Sequence, residues 1–259
     1  MTIKAVLFDF DGTLSTLRAG WEEVMVPFMK ESIVGNQQLT EEENVRMDRE
    51  IADYIDQSTG IQTVFQMRWL KEKTTAEGWN PEVLDEWAYK AEYNRRLLLS
   101  VHERINRMAS GELRQEDYLM KGSLAFLQLL QDRGVEMYVA SGTDHPDVVR
   151  EAQVLGVSSF FREIWGAPVG KAECSKEKVM MDLIENKKLS GHEFAVVGDG
   201  KVEIRLAKEI GSLAVGLASD ETVREGVNPL KEKRLLVAGA DVIVGDFTNI
   251  DQWITWLGL

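Results

Sequence analysis

The chain has 259 residues, 44% of them hydrophobic and 28% charged, which suits one large or two modest globular domains with a real core. Its net charge of −13, with no long basic run, excludes the phosphate backbone of a nucleic acid as a partner. No apolar run approaches the ~20 residues needed to cross a bilayer, and the lone cysteine, Cys174, excludes an intrachain disulfide and reads as an incidental free thiol.

Met1-Thr2-Ile3-Lys4 runs straight into an apolar stretch that Asp9 interrupts, so no signal-peptide core forms and a cytoplasmic protein is expected. That stretch, Ala5-Val6-Leu7-Phe8, is short and bounded by a turn, as a buried parallel strand is. It delivers Asp9 and Asp11 to its carboxyl end, where open α/β sheets place their ligands. Side chains at i and i+2 of a strand point the same way, so both carboxylates face one site. Held that close, they repel unless a cation or a shared proton relieves them. The pair suits a divalent-metal site in which one carboxylate attacks and the other moves a proton. An Asp-Gly turn is also a common hairpin signal. A hairpin needs a second strand at once, whereas Arg18-Ala19-Gly20-Trp21-Glu22-Glu23 reads as the start of a helix.

Residues 17–118 are expected to be almost wholly helical. Trp21, Val24, Met25, Phe28 and Met29 follow a 3.6-residue period. Thr40-Glu41-Glu42-Glu43 spells a capping box, with Met47, Ile51, Tyr54 and Ile55 behind it. The polar, turn-forming Ser58-Thr59-Gly60-Ile61-Gln62 then interrupts the helices and suits either a substrate contact or an ordinary interhelical turn. Val64, Phe65 and Leu70 resume the apolar pattern. Asn80-Pro81 reads as an N-cap with proline at the first helical position, opening a long helix through Leu84, Trp87, Leu97 and Val101.

The texture changes after about residue 119. A helix through Leu124, Phe126, Leu127 and Leu130 ends at Gly134, and Val135 to Ala140 reads as a strand. Helices are expected over Val148 to Leu155, Lys176 to Lys187 and Val202 to Ile210. Phe194 to Val197, Leu213 to Leu217 and Asp241 to Val244 read as strands. This alternation implies a mostly parallel sheet covered on both faces. The economical arrangement is one Rossmann-like α/β core, residues 1–16 and 119–259, interrupted by an inserted all-helical domain, residues 17–118. Ser15 to Ala19 and Gly111 to Gly122 would be its hinges. Trp69, Trp79, Trp253 and Trp256 fit a core or an interface equally, which leaves the oligomeric state open.

Three later features sit at expected strand ends or helix starts. Ser141-Gly142-Thr143 closes a strand with a hydroxyl and a flexible turn, and its hydroxyl and amides suit a phosphoryl oxygen. Ser-Gly by itself is a routine turn. Lys176 opens a helix against the macrodipole, which is tolerable when its ammonium reaches inward to an anion. Lys171 and Lys178 compete for that role. Asp199 ends a strand where it would serve as a Mg²⁺ ligand, or more plainly as a helix cap, and Glu203 follows one turn later. All of them falling in this order by chance is improbable.

Together these residues resemble the haloacid dehalogenase superfamily over the whole length. Asp9-Phe10-Asp11-Gly12-Thr13 matches its first motif, Ser141 with Gly142-Thr143 its second, Lys176 its third, and Gly198-Asp199-Gly200-Lys201-Val202-Glu203 its fourth. The family usually carries aspartate where Glu203 stands. The helical insertion looks like the cap of phosphoglycolate phosphatase and β-phosphoglucomutase relatives. The resemblance implies Asp9 as nucleophile, Asp11 as acid and base, and Thr13 orienting Asp11. It implies Ser141, Gly142, Thr143 and Lys176 on the phosphoryl group. Mg²⁺ would sit among Asp9, Asp11, Asp199 and Glu203, with Arg18 as a further substrate contact or a surface hinge charge. The implied substrate is a small phosphorylated metabolite. A phosphomutase that shares the aspartyl-phosphate, or a phosphometabolite-binding module without turnover, are the alternatives. Asp11 argues against dehalogenase and phosphonatase chemistry, which do not need that acid.

Overall fold

A computed structural model describes residues 2–172 and 176–259, so Cys174 lies outside the described residues. Among these, six strands form one parallel sheet: β1 (Ala5–Phe8), β2 (Glu136–Asp144), β3 (Glu163–Ala167), β4 (Phe194–Gly198), β5 (Leu213–Leu217) and β6 (Val242–Val244). Their order is β3-β2-β1-β4-β5-β6. The fully buried, purely apolar β1 is central, as its continuous hydrophobic run requires. Strand order reverses on either side of β1, so the carboxyl ends of β1, β2 and β4 frame a crevice at the switch point. Phe8 is level with Val139 on one side and Val197 on the other, which brings Asp9, Ser141 and Asp199 to that crevice.

The two sheet faces follow the strand alternation. Val6, Phe8, Val139 and Val197 pack against α5 (Ser123–Asp132), α6 (His145–Val154) and α10 (Ile250–Leu257). Leu7, Tyr138 and Val196 face α7 (Lys176–Lys187), α8 (Lys201–Glu209) and α9 (Pro229–Ala238) instead. Trp253 is buried in the first layer and packs edge-on against Trp256. Between β1 and β2 run α1 (Trp21–Val34), α2 (Glu41–Ser58), α3 (Thr63–Glu77) and α4 (Glu86–Ala109). They enclose a separate core that includes Met25, Phe28, Met47, Ile51, Met67 and Tyr89. Trp69 stacks on Tyr54 at 4.1 Å between ring centroids, and Trp79 lies beneath Arg46. Among the described residues no helix is long and apolar enough to cross a membrane.

Thr40 and Glu43 form the expected capping box, with reciprocal bonds of 3.3 and 2.8 Å. The cap of α4 differs from the expectation. Asn80 donates to the Ser32 carbonyl at 2.8 Å, tying the end of α1, while Asp85 caps α4 through the Trp87 and Ala88 amides. The helix opens at Glu86 rather than Pro81: Asn80 Oδ1 does accept from the Glu82 amide at 3.0 Å, but that bond closes only a local turn. β3 lies outside the sequence expectation, being a five-residue edge strand whose first three positions are exposed or half-exposed. The Ser141-Gly142-Thr143 segment is also not a turn. It continues β2, with a register irregularity between Ala140 and Asp144.

Candidate active site

Asp9 leaves β1 with its amide bonded to the Val197 carbonyl at 2.9 Å, so its side chain enters the crevice. Lys176, the first residue of α7, reaches it with Nζ 2.8 Å from Asp9 Oδ1. The same ammonium donates to Glu203 Oε2 at 3.1 Å, while Glu203 Oε1 accepts from the Gly200 amide at 2.7 Å. All three side chains are buried. Burial pushes the Asp9 carboxyl well above the ordinary carboxylate range. Lys176 works against that shift, and the Glu203 and Asp199 charges add to it. Burial disfavours the Lys176 charge as well, but Asp9 and Glu203 outweigh it and hold the ammonium protonated.

Asp11 points to the second motif. Its Oδ2 accepts from Thr143 Oγ1 at 2.8 Å and from Ser141 Oγ at 3.3 Å, and Ser141 Oγ in turn accepts from the Thr143 amide. Asp11 Oδ1 has no hydrogen-bond partner among the described residues. The structure does not bring Thr13 to Asp11: the Thr13 hydroxyl is buried without a partner among the described residues, and the hydroxyl on Asp11 is that of Thr143. Gly12 turns with φ +73°, and a Cβ there would stand 2.4 Å from Asp199 Oδ2, so only glycine lets the loop approach Asp199.

Asp9, Asp199 and Glu203 each offer an oxygen within 4.8 Å of the others. Buried hard oxygen donors of this kind fit Mg²⁺. Lys176 takes one oxygen of Asp9, and Lys231 takes one of Asp199 at 2.7 Å. Glu203 accepts from the Gly200 amide with one oxygen and from Lys176 with the other. Sequence reasoning missed Lys231, Glu221 and Ser219. Lys231 Nζ donates to Glu221 Oε1 at 2.7 Å and to Ser219 Oγ at 3.0 Å, and Ser219 donates to the Gly12 carbonyl at 2.5 Å. Asn228-Pro229, an N-cap with proline after it, is the local signal for the helix that carries Lys231.

Arg18 is no surface charge. It is 8% exposed, and its Nε and Nη2 donate to Glu151, itself 1% exposed, at 2.7–3.2 Å. Burial pushes the Glu151 carboxyl up, to about 7, against the pull of Arg18. The carboxylate is the form this geometry holds, because both oxygens accept from the guanidinium and a carboxyl proton would oppose one of those donors. Arg18 lines the cleft over Asp9 and Asp11 with Trp21, Tyr93 and Leu97. Thr59, Gly60 and Ile61, from the loop between Ser58 and Gln62, line the same cleft. A Cβ at Gly142 would stand 2.7 Å from the Ile61 carbonyl oxygen, and one at Gly60 would stand 3.0 Å from Glu203 Oε2.

A family model described as haloacid dehalogenase-like hydrolase matches residues 3–211. No curated protein sequence matches the chain. Among solved structures, a predicted phosphoglycolate phosphatase from Haemophilus somnus 129pt is similar at TM-score 0.65 and 17% identity, with 98% of both chains covered. A β-phosphoglucomutase from Clostridium difficile is similar at TM-score 0.65 and 14% identity, covering 99% of this chain and 97% of that one. A predicted phosphatase from Clostridium acetobutylicum is similar at TM-score 0.60 and 17% identity, covering 98% and 99%. These structures share the fold, and with the family model spanning most of its length the chain belongs to the haloacid dehalogenase-like hydrolases.

Proposed function

We propose that this chain is a Mg²⁺-dependent phosphomonoesterase acting on a small phosphorylated metabolite, with residues 17–118 as its cap. The observation that carries the reading is the division of labour between the two aspartates. Asp9 is paired with a buried ammonium, whereas Asp11 is held by two hydroxyls. Asp9 attacks phosphorus in line, and the P–O bond to the leaving group breaks as the aspartyl-phosphate forms. Asp11 gives its proton to the departing oxygen. It then takes a proton from the water that hydrolyses the intermediate, which restores both carboxyl groups. Its Oδ1, which makes no hydrogen bond among the described residues, is the atom suited to carry that proton.

Lys176 and the Ser141 hydroxyl counter the phosphoryl charge, and Glu203 keeps Lys176 aimed at the nucleophile. Asp9, the Asp11 carbonyl and Asp199 are the residues that would hold Mg²⁺. When bound it supplies the positive charge that lets an anionic nucleophile approach an anionic ester. The loop from Ser58 to Gln62, seated against Gly142 and Glu203, keeps bulk water from the reacting atoms.

The test is phosphate release from a panel of small phosphomonoesters, with and without Mg²⁺, for the wild type beside Asp9→Asn. Mg²⁺-dependent release that falls by about 10³-fold or more in the variant is the expected result. Near-wild-type release by Asp9→Asn would sink the nucleophile assignment. Little free phosphate, with turnover activated by a sugar bisphosphate, would assign phosphomutase chemistry instead.

A further inference from the structure

The cap side of the cleft presents Arg18, Trp21, Thr59, Gln66, Tyr93 and Leu97 towards the space above Asp9 and Asp11. Arg18 is the one cation among these six, and it is already neutralised. Its Nη2 lies 2.7 Å from Glu151 Oε1 and 3.5 Å from Asp147 Oδ2, and its Nε lies 3.9 Å from Asp11 Oδ1. The other cations near this wall are also committed. Lys90, one turn before Tyr93, is bonded to Asp144, and Lys201 is bonded to Asp56. Lys176 is spent on Asp9 and Glu203 at the phosphoryl end. An anionic leaving group would therefore lose its water beside Asp11 and the Arg18–Glu151 pair, and among the described residues lining the cleft the two cations, Arg18 and Lys176, are both already paired. An uncharged one needs no such cation: Thr59 and Gln66, whose donors go to the Ile55 carbonyl and Ser58, leave oxygens that can accept from its hydroxyls, and Trp21 and Tyr93 line the rest of the wall.

We propose that the cleft selects phosphomonoesters whose leaving group is uncharged, of the polyol or sugar class, and that Glu151 enforces the selection by neutralising Arg18. The proposal rests on the phosphomonoesterase reading and narrows it: esters bearing a carboxylate or a second phosphate are excluded. Glu151 touches no reacting atom and acts through Arg18, so it is a positioning residue that sets specificity.

The experiment compares substrates matched in size and differing in one charge: glycerol 3-phosphate against 3-phosphoglycerate, and sorbitol 6-phosphate against 6-phosphogluconate. Wild-type kcat/KM should favour the uncharged member of each pair at least tenfold. Calorimetry on Asp9→Asn with Mg²⁺ should give the same order without turnover. Glu151→Gln, which removes the nearest of the three carboxylates on Arg18 at constant shape, should narrow the ratio at least fivefold, chiefly through KM for the acids, and Glu151→Asp should restore it. The wild-type ratio needs no variant and stands should Glu151→Gln fail to fold. Equal or faster release from the acids overturns the selection while leaving the phosphatase reading intact. Tighter binding of the uncharged esters without release from any ester upholds the selection and sinks the phosphatase reading. Binding of neither class overturns both.

Discussion

Glu203 joins Lys176 at 3.1 Å through one oxygen and the Gly200 amide at 2.7 Å through the other, so a single carboxylate ties the start of α8 to the ammonium that meets Asp9. An aspartate, shorter by one methylene, reaches one of these partners but not both. Glu203→Asp is expected to lower kcat by about 10- to 100-fold, as loss of a supporting bond behind a catalytic group does. The Mg²⁺ concentration for half-activation should move less than kcat. Steady-state kinetics over a Mg²⁺ series checks this, and a large shift in half-activation with kcat preserved would put Glu203 on the metal.

The two threonines of the first and second motifs should behave differently. Thr143 donates to Asp11 Oδ2 at 2.8 Å, so Thr143→Val leaves that carboxylate with only the longer Ser141 bond. A kcat loss of about tenfold or more is expected, in the range that removal of one positioned hydrogen bond produces. The Thr13 hydroxyl is buried without a partner among the described residues. Replacing such a hydroxyl with an isosteric methyl removes an unmet polar group, so Thr13→Val should leave kcat nearly unchanged and the melting temperature equal or higher. Equal losses in both variants would return the orienting role to Thr13.

The contrast between these threonines marks how far the sequence was legible. Asp9 and Asp199 each follow directly on a strand and Lys176 opens a helix, so apolar patterning brings these three to one crevice, whereas Ser141 lies inside the longer β2. Which hydroxyl reaches Asp11 depends on the continuation of β2 past Ala140, and Ser-Gly reads as a turn by local rules. The Arg18–Glu151 pair spans 133 positions, and the Lys231–Asp199 pair spans 32. Nothing periodic in the chain encodes either, because a buried charge is recognisable only once its partner is in place. β3 escaped for the opposite reason: an edge strand needs one buried face, so its apolar signal is faint.

Stability in acid should depend on Glu77. It accepts from Arg46 Nη1 and Nη2 at 2.8 Å and from Lys73 Nζ at 2.5 Å, tying the end of α3 to α2. The hydrogen bonds from Arg46, and then Lys73, outweigh burial and lower its pKa from 4.5 to about 2. A carboxylate with a depressed folded-state pKa contributes stability that is fully present above the unfolded-state value and is lost as pH falls through the folded-state value. The window here therefore runs from about 4.5 down to about 2. Glu77→Gln should lower the thermal midpoint by a constant amount at neutral pH, and the gap to wild type should close within that window. A gap unchanged between pH 6 and about pH 3 would show that Glu77 is not titrating as its partners require.

Gly142 tests whether the loop from Ser58 to Gln62 must seat on the core for the reaction. Its backbone needs no left-handed conformation, so alanine introduces no torsional strain there. What alanine adds is a methyl 2.7 Å from the Ile61 carbonyl oxygen, inside contact distance of backbone that cannot step aside like a side-chain tip. In Gly142→Ala the loop must lift while β2 keeps its pairing. The expected outcome is a drop in kcat/KM of about tenfold or more, since small misplacement over a reacting group is costly. The melting temperature should stay close to wild type, because no core side chain is disturbed. Faster hydrogen exchange confined to residues 58–62 would report the lifted loop. Full activity with the extra methyl in place would mean that the chemistry proceeds without this contact, and the cap would then have to exclude water by another surface.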